Sequence, residues 1–182
     1  MKIVILGNSG SGKTWLAHQL AKHVPVPMIH LDDLYWEPGG FNRGRSMEEI
    51  SALVQESKFN AGWIVEGVFG DLATRYLEYA NELIWLDPAW QVCEARLLKR
   101  RSESKRHMDR EQSERGLKDL LDWACGYYVR SDLRSQEGHR QLFTEFRRSK
   151  YRLEDEASVA KFVSKVQQMA MSRLEIVDRP RF

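Results

Sequence analysis

The amino-acid sequence predicts an α/β fold: a parallel sheet with helices on both faces. Three observations predict it. Short apolar runs rich in β-branched residues alternate with segments of helical period, the order a parallel sheet requires. The runs are apolar throughout rather than alternating, as strands covered on both faces are. Chemically active side chains fall directly after the runs, where open α/β sheets bind their ligands. Gly7–Thr14 follows the first, Asp32 and Asp33 the second, Glu66 the third and Asp87 the fourth.

Each element has its own signal. KIVIL (2–6) predicts the first strand, and Leu16, Leu20 and Val24, about a turn apart, predict a helix over 14–24. PVPMIHL (25–31) predicts a second strand, with its prolines near the start. EPGGFNRGRS (37–46) reads as a loop, and the helix after it has a capping box, Ser46 with Glu49 three residues on. GWIVEG (62–67) is a third strand, LATRYLEYA (72–80) a helix and ELIWLD (82–87) a fourth strand. A helix over 89–101 leads into a polar stretch, SESKRHMDREQ (102–112), and then into a helical region over roughly 113–147, broken near Ser135–Gly138. SKYRLED (149–155) is a fifth, weaker strand, and 157–170 a last helix.

The chain of 182 residues is expected to form a single domain. Its net charge of +2 argues against nucleic acid as the main partner. Two cysteines, Cys93 and Cys125, make neither a disulfide framework nor a metal-ligand spacing, which fits a reduced, cytoplasmic setting. The opening MKIVILGN lacks the long apolar segment of a secretory signal, and no run approaches the ~20 apolar residues of a membrane span.

GNSGSGKT (Gly7, Asn8, Ser9, Gly10, Ser11, Gly12, Lys13, Thr14) matches G-x-x-x-x-G-K-[ST] in full, between a predicted strand and a predicted helix. Glycines let successive backbone N–H groups turn inward as an anion-binding nest, and the helix N-terminus adds its partial positive charge. Lys13 would place an ammonium on the β- and γ-phosphates, and Thr14 a hydroxyl on Mg²⁺. A dinucleotide fingerprint fits less well, because its third glycine would fall on Trp15. A purine triphosphate, ATP, is the expected ligand. In HLDDLYW (30–36), an extended chain would point Asp32 and Asp33 to opposite sides, so that one carboxylate faces the triphosphate. That carboxylate would accept a proton from an acceptor hydroxyl or hold water on Mg²⁺. Asp87, before Pro88, reads as a strand-to-helix cap.

GNSGSGKT, HLDDLYWEPG, WIVEGVFG and ELIWLDPAW with CEARLLKRR together resemble the adenylate-kinase-like P-loop kinases, nearest to the bacterial topology-modulation-related branch. The resemblance covers about residues 1–165. It implies a three-layer P-loop NTPase fold with a five-stranded sheet in the order 2-3-1-4-5, a lid, and phosphoryl transfer from ATP. Asp32-Asp33-Leu34-Tyr35 is similar to the strand-end motif of uridine-kinase-like enzymes, whose first aspartate is the base, and this carries over to Asp32. The chain departs from adenylate kinases at VEGVFG. Glu66 stands where they carry aspartate, and Val68–Gly70 lack the proline and arginine, which removes one expected contact to an AMP phosphate. Glu66 remains a candidate to orient Mg²⁺-bound water.

From Arg96 to Arg115 there are eight Lys or Arg against four acids. A mobile arginine that closes over the transferring phosphoryl group stabilises its charge and excludes water. Arg100 and Arg101, where helix meets polar stretch, are the candidates, in a lid over 100–116. The acceptor is expected over 34–61, with Tyr35, Arg43 and Arg45 as contacts and Trp36, Phe41 and Trp63 as candidates for an aromatic slot, although Trp63 reads better as a core residue. The expected function is an ATP- and Mg²⁺-dependent kinase of a small molecule, a nucleotide or nucleoside, acting as monomer or homodimer. The alternative is an ATP-binding regulatory or nucleic-acid-associated protein with weak ATPase activity.

Overall fold

The computed structural model describes residues 1–38, 43–104 and 110–177, and gives the backbone alone for 101–104, 110–115 and 172–177. Five strands, β1 (Lys2–Gly7), β2 (Met28–His30), β3 (Trp63–Gly67), β4 (Glu82–Leu86) and β5 (Ser149–Leu153), pair in parallel in the order β2-β3-β1-β4-β5. This is the order the resemblance implied.

Strand alternation divides the core into two layers. Ile3 and Ile5 of β1, Ile64 of β3 and Ile84 of β4 face one side, where Leu16, Ala17 and Leu20 of α1 (Lys13–Ala21) and Phe162 of α8 (Glu156–Val177) cover them. Val4 and Leu6, Trp63 and Val65, and Leu83 and Trp85 face the other. There they meet α2 (Leu31–Tyr35), α3 (Met47–Lys58), α4 (Gly70–Leu77) and α7 (Gln136–Glu145). Burying each large aliphatic side chain contributes about 1.5–3 kcal/mol, which explains why the strands read as unbroken apolar runs. The helices α5 (Trp90–Ser104) and α6 (Arg110–Cys125) flank the polar stretch, and a 3-10 turn, Gly126–Tyr128, follows α6.

The capping box forms as expected. Ser46 Oγ accepts from Glu49 N at 3.2 Å and Glu49 Oε2 from Ser46 N at 2.9 Å. The expected break near Ser135–Gly138 is longer and earlier, because the chain leaves helix after the 3-10 turn and restarts only where Ser135 caps α7. The second strand is shorter than expected, because the chain turns helical at Leu31.

Candidate active site

The loop after β1 has the shape its glycines permit. Gly10 and Gly12 have φ of +78° and +99°, left-handed conformations that disfavour a Cβ. A Cβ at Gly10 would lie 2.5 Å from the carbonyl oxygen of Cys93, so the loop also rests directly on α5. Gly12 is the N-cap of α1, and no side chain caps that helix, which leaves the N–H groups of its first turn without a side-chain partner from the cap residue. Lys13 is buried, with Nζ donating to the carbonyl oxygen of Asn8 at 2.9 Å. Asn8 braces the loop from below: Oδ1 accepts from Ser9 N at 2.8 Å, and Nδ2 donates to the Ala124 carbonyl, also at 2.8 Å. Arg96 of α5 donates to the Ser11 carbonyl at 2.9 Å and pairs with Glu156 of α8 at 3.0 Å.

Sheet register explains the acid beside the loop. Ile64 and Glu66 share a face of β3, the face that α1 covers, so Glu66 lies under the start of that helix. Thr14 Oγ1 donates to Glu66 Oε1 at 2.9 Å. His30 is the cross-strand partner of Glu66 and reaches the same oxygen from Nδ1 at 2.6 Å. The carboxylate can only accept, so Nδ1 carries the proton. The Glu66 hydrogen bond raises the His30 pKa against the opposing effect of burial. Burial pushes Glu66 upward, but the hydrogen bond from His30, the charge of Lys13 and the hydrogen bond from Thr14 outweigh it and hold the carboxyl below its ordinary value.

Asp32 and Asp33 do not point to opposite sides as an extended chain would require. They lie in α2, where consecutive residues are about 100° apart. Asp33 is exposed; Asp32 is the half-buried one, within the field of Lys13. Burial raises the Asp32 pKa, with Lys13 opposing and Glu66 and Asp33 adding to the rise. For Lys13, burial lowers the pKa and the charges of Glu66 and Asp32 oppose it. The positive charge of Arg100, exposed on α5, lowers it further.

Other expected residues sit elsewhere. Asp87 does not cap a helix. It is buried and accepts from Arg152 at 2.6 Å and Gln136 at 2.9 Å, tying β4 to β5 and α7. Arg43 is exposed and pairs with Glu37 at 3.1 Å, and Arg45 donates to the carbonyl oxygens of Asp33 and Trp36. Trp63 is a core residue packed edge-on to Tyr76, as its sequence reading favours. Phe41, the Arg101 side chain and the centre of the expected lid lie outside the described residues. Tyr35 stacks on Phe69 at 4.6 Å, with the Arg134 guanidinium 4.6 Å from the Tyr35 ring and 4.5 Å from Phe69.

Sequence reasoning missed His30, Asp71, Arg134 and His139. His139 is fully buried between Tyr127, whose hydroxyl lies 2.8 Å from Nδ1, and the Val68 carbonyl, 3.0 Å from Nε2. Tyr127 also accepts from Trp85 Nε1 at 3.1 Å. This chain of bonds fixes the segment just after Glu66 to β4 and α7.

Several features fit a polyphosphate with a divalent cation. The Ser11 hydroxyl is buried without a protein partner. The loop presents a left-handed glycine cradle, a buried ammonium and an uncapped helix start. Thr14, Asp32 and Glu66 supply oxygen donors. Among the described residues no group of three or more His, Cys, Asp or Glu forms a metal cage. Mg²⁺ in phosphoryl-transfer sites takes one or two protein oxygens and completes its shell with phosphates and water, which matches this donor set.

No protein-family model matches the chain, and no curated protein matches it in sequence. Among solved structures, it is similar to a gluconokinase from Sinorhizobium meliloti 1021, at 17% identity and a TM-score of 0.53, over 98% of this chain and 97% of that one. It is also similar to shikimate kinase from Acinetobacter baumannii in complex with shikimate, at 16% identity and a TM-score of 0.52, over 94% and 93%. A shikimate kinase from Bacteroides thetaiotaomicron gives 20% identity and a TM-score of 0.52, over 93% and 97%. At these identities the likeness is one of fold, the fold that these kinases share.

Proposed function

We propose that this chain is an ATP- and Mg²⁺-dependent phosphotransferase that acts on a small-molecule acceptor in the cytoplasm. The adenylate-kinase-like character and the topology-modulation-related branch rest on the sequence motifs. One observation carries the functional reading: a buried lysine in a left-handed glycine loop lies beside Thr14, Glu66 and Asp32 at the carboxyl ends of the strands.

When bound, ATP with Mg²⁺ supplies an activated γ-phosphoryl group. The chain's own residues bind, orient and move a proton. The loop amides from Gly7 to Thr14 and the Lys13 ammonium hold the phosphates. Thr14, with Asp32 or Glu66, would provide oxygen ligands to Mg²⁺ or to its bound water, and His30 holds Glu66 in place. Asp32, its affinity for a proton raised by burial, accepts the proton of an acceptor hydroxyl. Arg100, together with Arg101, closes over the phosphates and excludes water. The test is ADP release by the purified protein with ATP and Mg²⁺ across nucleosides, nucleoside monophosphates, sugars and small hydroxy acids. Acceptor-stimulated release supports the reading. ATP binding without stimulation by any acceptor contradicts it.

A further inference from the structure

A cavity of about 450 Å³ is lined by Asp71, Trp123, Arg130, Asp132, Leu133 and Arg134. That is the size range of small-molecule sites. Its position follows from contacts on both flanks. Trp123 directly precedes Ala124, whose carbonyl accepts from the Asn8 side chain of the loop. Arg134 lies over Tyr35, three residues beyond Asp32, and over Phe69, three residues beyond Glu66. The cavity is thereby tied to Tyr35 and Phe69, which follow the two acids of the candidate site in the chain.

The lining is charge-balanced. The Asp71 carboxylate accepts two bonds from Arg134, from Nε at 3.0 Å and from Nη2 at 2.7 Å. Arg130 pairs with Asp132 at 3.4 Å, donates to the Trp123 carbonyl at 2.7 Å, and lies 4.5 Å from the Trp123 ring. Among the described residues, each guanidinium of the lining already has its carboxylate. The two cations first expected to grip an anion, Arg43 and Arg45, are engaged at Glu37 and at backbone carbonyls. A phosphate or carboxylate entering the cavity would lose part of its hydration and meet two aspartates, with no guanidinium among the described lining residues that is not already paired to a carboxylate. A hydroxyl is matched instead. A carboxylate already holding an arginine keeps lone pairs for further donors, and Trp123, 37% exposed, offers aromatic surface to a ring.

We infer that this cavity seats an uncharged, polyhydroxylated ring compound of nucleoside or sugar size as phosphoryl acceptor, held through its hydroxyls by Asp71 and Asp132. The inference rests on the phosphotransfer reading and narrows it. The acceptor hydroxyl oxygen bonds to the γ-phosphorus of ATP, and the bond from that phosphorus to the β,γ-bridging oxygen breaks. ADP departs with the electron pair, and the hydroxyl proton passes to Asp32.

The test compares kcat/KM, with ATP and Mg²⁺, for uncharged nucleosides and free sugars against nucleoside monophosphates and hydroxy-carboxylic acids. The best acceptor is expected to be uncharged. Asp71→Asn and Asp132→Asn should each raise its KM about tenfold or more, and more than they raise the KM for ATP; a merely structural loss would move both alike. Asp71→Asn also releases Arg134, so it should shift the preference between a nucleoside and its monophosphate toward the monophosphate, about tenfold. Asp132 is an exposed side chain, and its variant carries the test if Asp71→Asn fails to fold. An anionic compound as best acceptor, or no turnover of any uncharged one, overturns the inference. In that case calorimetry with ATP and Mg²⁺ tells whether the phosphotransfer reading falls with it.

Discussion

Lowering the pH from 7 to 5 should remove about 2 kcal/mol of stability through one side chain, His139. The imidazole is 0% exposed, and burial pushes its pKa from 6.5 down to about 3, with the Val68 hydrogen bond opposing and the charge of Lys13 assisting. The folded value lies below the unfolded one, so the unfolded chain takes up the proton first. The stability is fully present above about pH 6.5 and drains away as the pH falls toward 3. Each pH unit inside that window is worth about 1.4 kcal/mol, and pH 5 lies about one and a half units into it. The assay is urea unfolding at both pH values, for the native chain and for His139→Gln, which keeps a donor and an acceptor but does not titrate. Carboxylates contribute to the pH dependence of both proteins, so the difference between them isolates His139. An equal loss in the two would refute the argument.

Three further outcomes follow from the same geometry. Gly10→Ala should destabilise the protein by at least about 1–2 kcal/mol, because the backbone is left-handed there and the Cβ would meet the Cys93 carbonyl; thermal unfolding measures it. Ser46→Ala removes one half of a capping box and should cost about 1 kcal/mol in urea unfolding, with no change in nucleotide affinity. Asp32→Asn should lower kcat about 100-fold or more. The raised folded pKa of Asp32 means its stabilising contribution belongs to the protonated form and is lost as pH rises through that pKa, so without Mg²⁺ at pH 7 the same variant should unfold at a higher temperature.

The strands and the phosphate loop were legible in the sequence because their causes are local. Buried parallel strands need unbroken apolar runs, and a left-handed loop needs glycine where φ is positive. The capping box is equally local, two side chains three residues apart. Asp87 misled because an aspartate before a proline suits a cap, yet its true partners, Gln136 and Arg152, are distant in sequence. The Asp32–Asp33 pair was placed by assuming the strand continued, whereas β2 stops at His30. His30 was within reach of strand-end reasoning, but its meaning depends on the register that sets it opposite Glu66. The pairing of Asp71 with Arg134, 63 residues apart, and the Trp85–Tyr127–His139 chain carry no local pattern at all.

The central claim is that the loop from Gly7 to Thr14 and the Lys13 ammonium hold a nucleotide polyphosphate. Titration calorimetry of ATP with Mg²⁺ into the native protein and into Lys13→Ala tests it most directly. The account predicts one binding event in the native protein, weakened about 10-fold or more in a folded Lys13→Ala variant, since charged hydrogen bonds are worth about 1.5–3 kcal/mol. No heat with the native protein, or equal affinity in the variant, would contradict it.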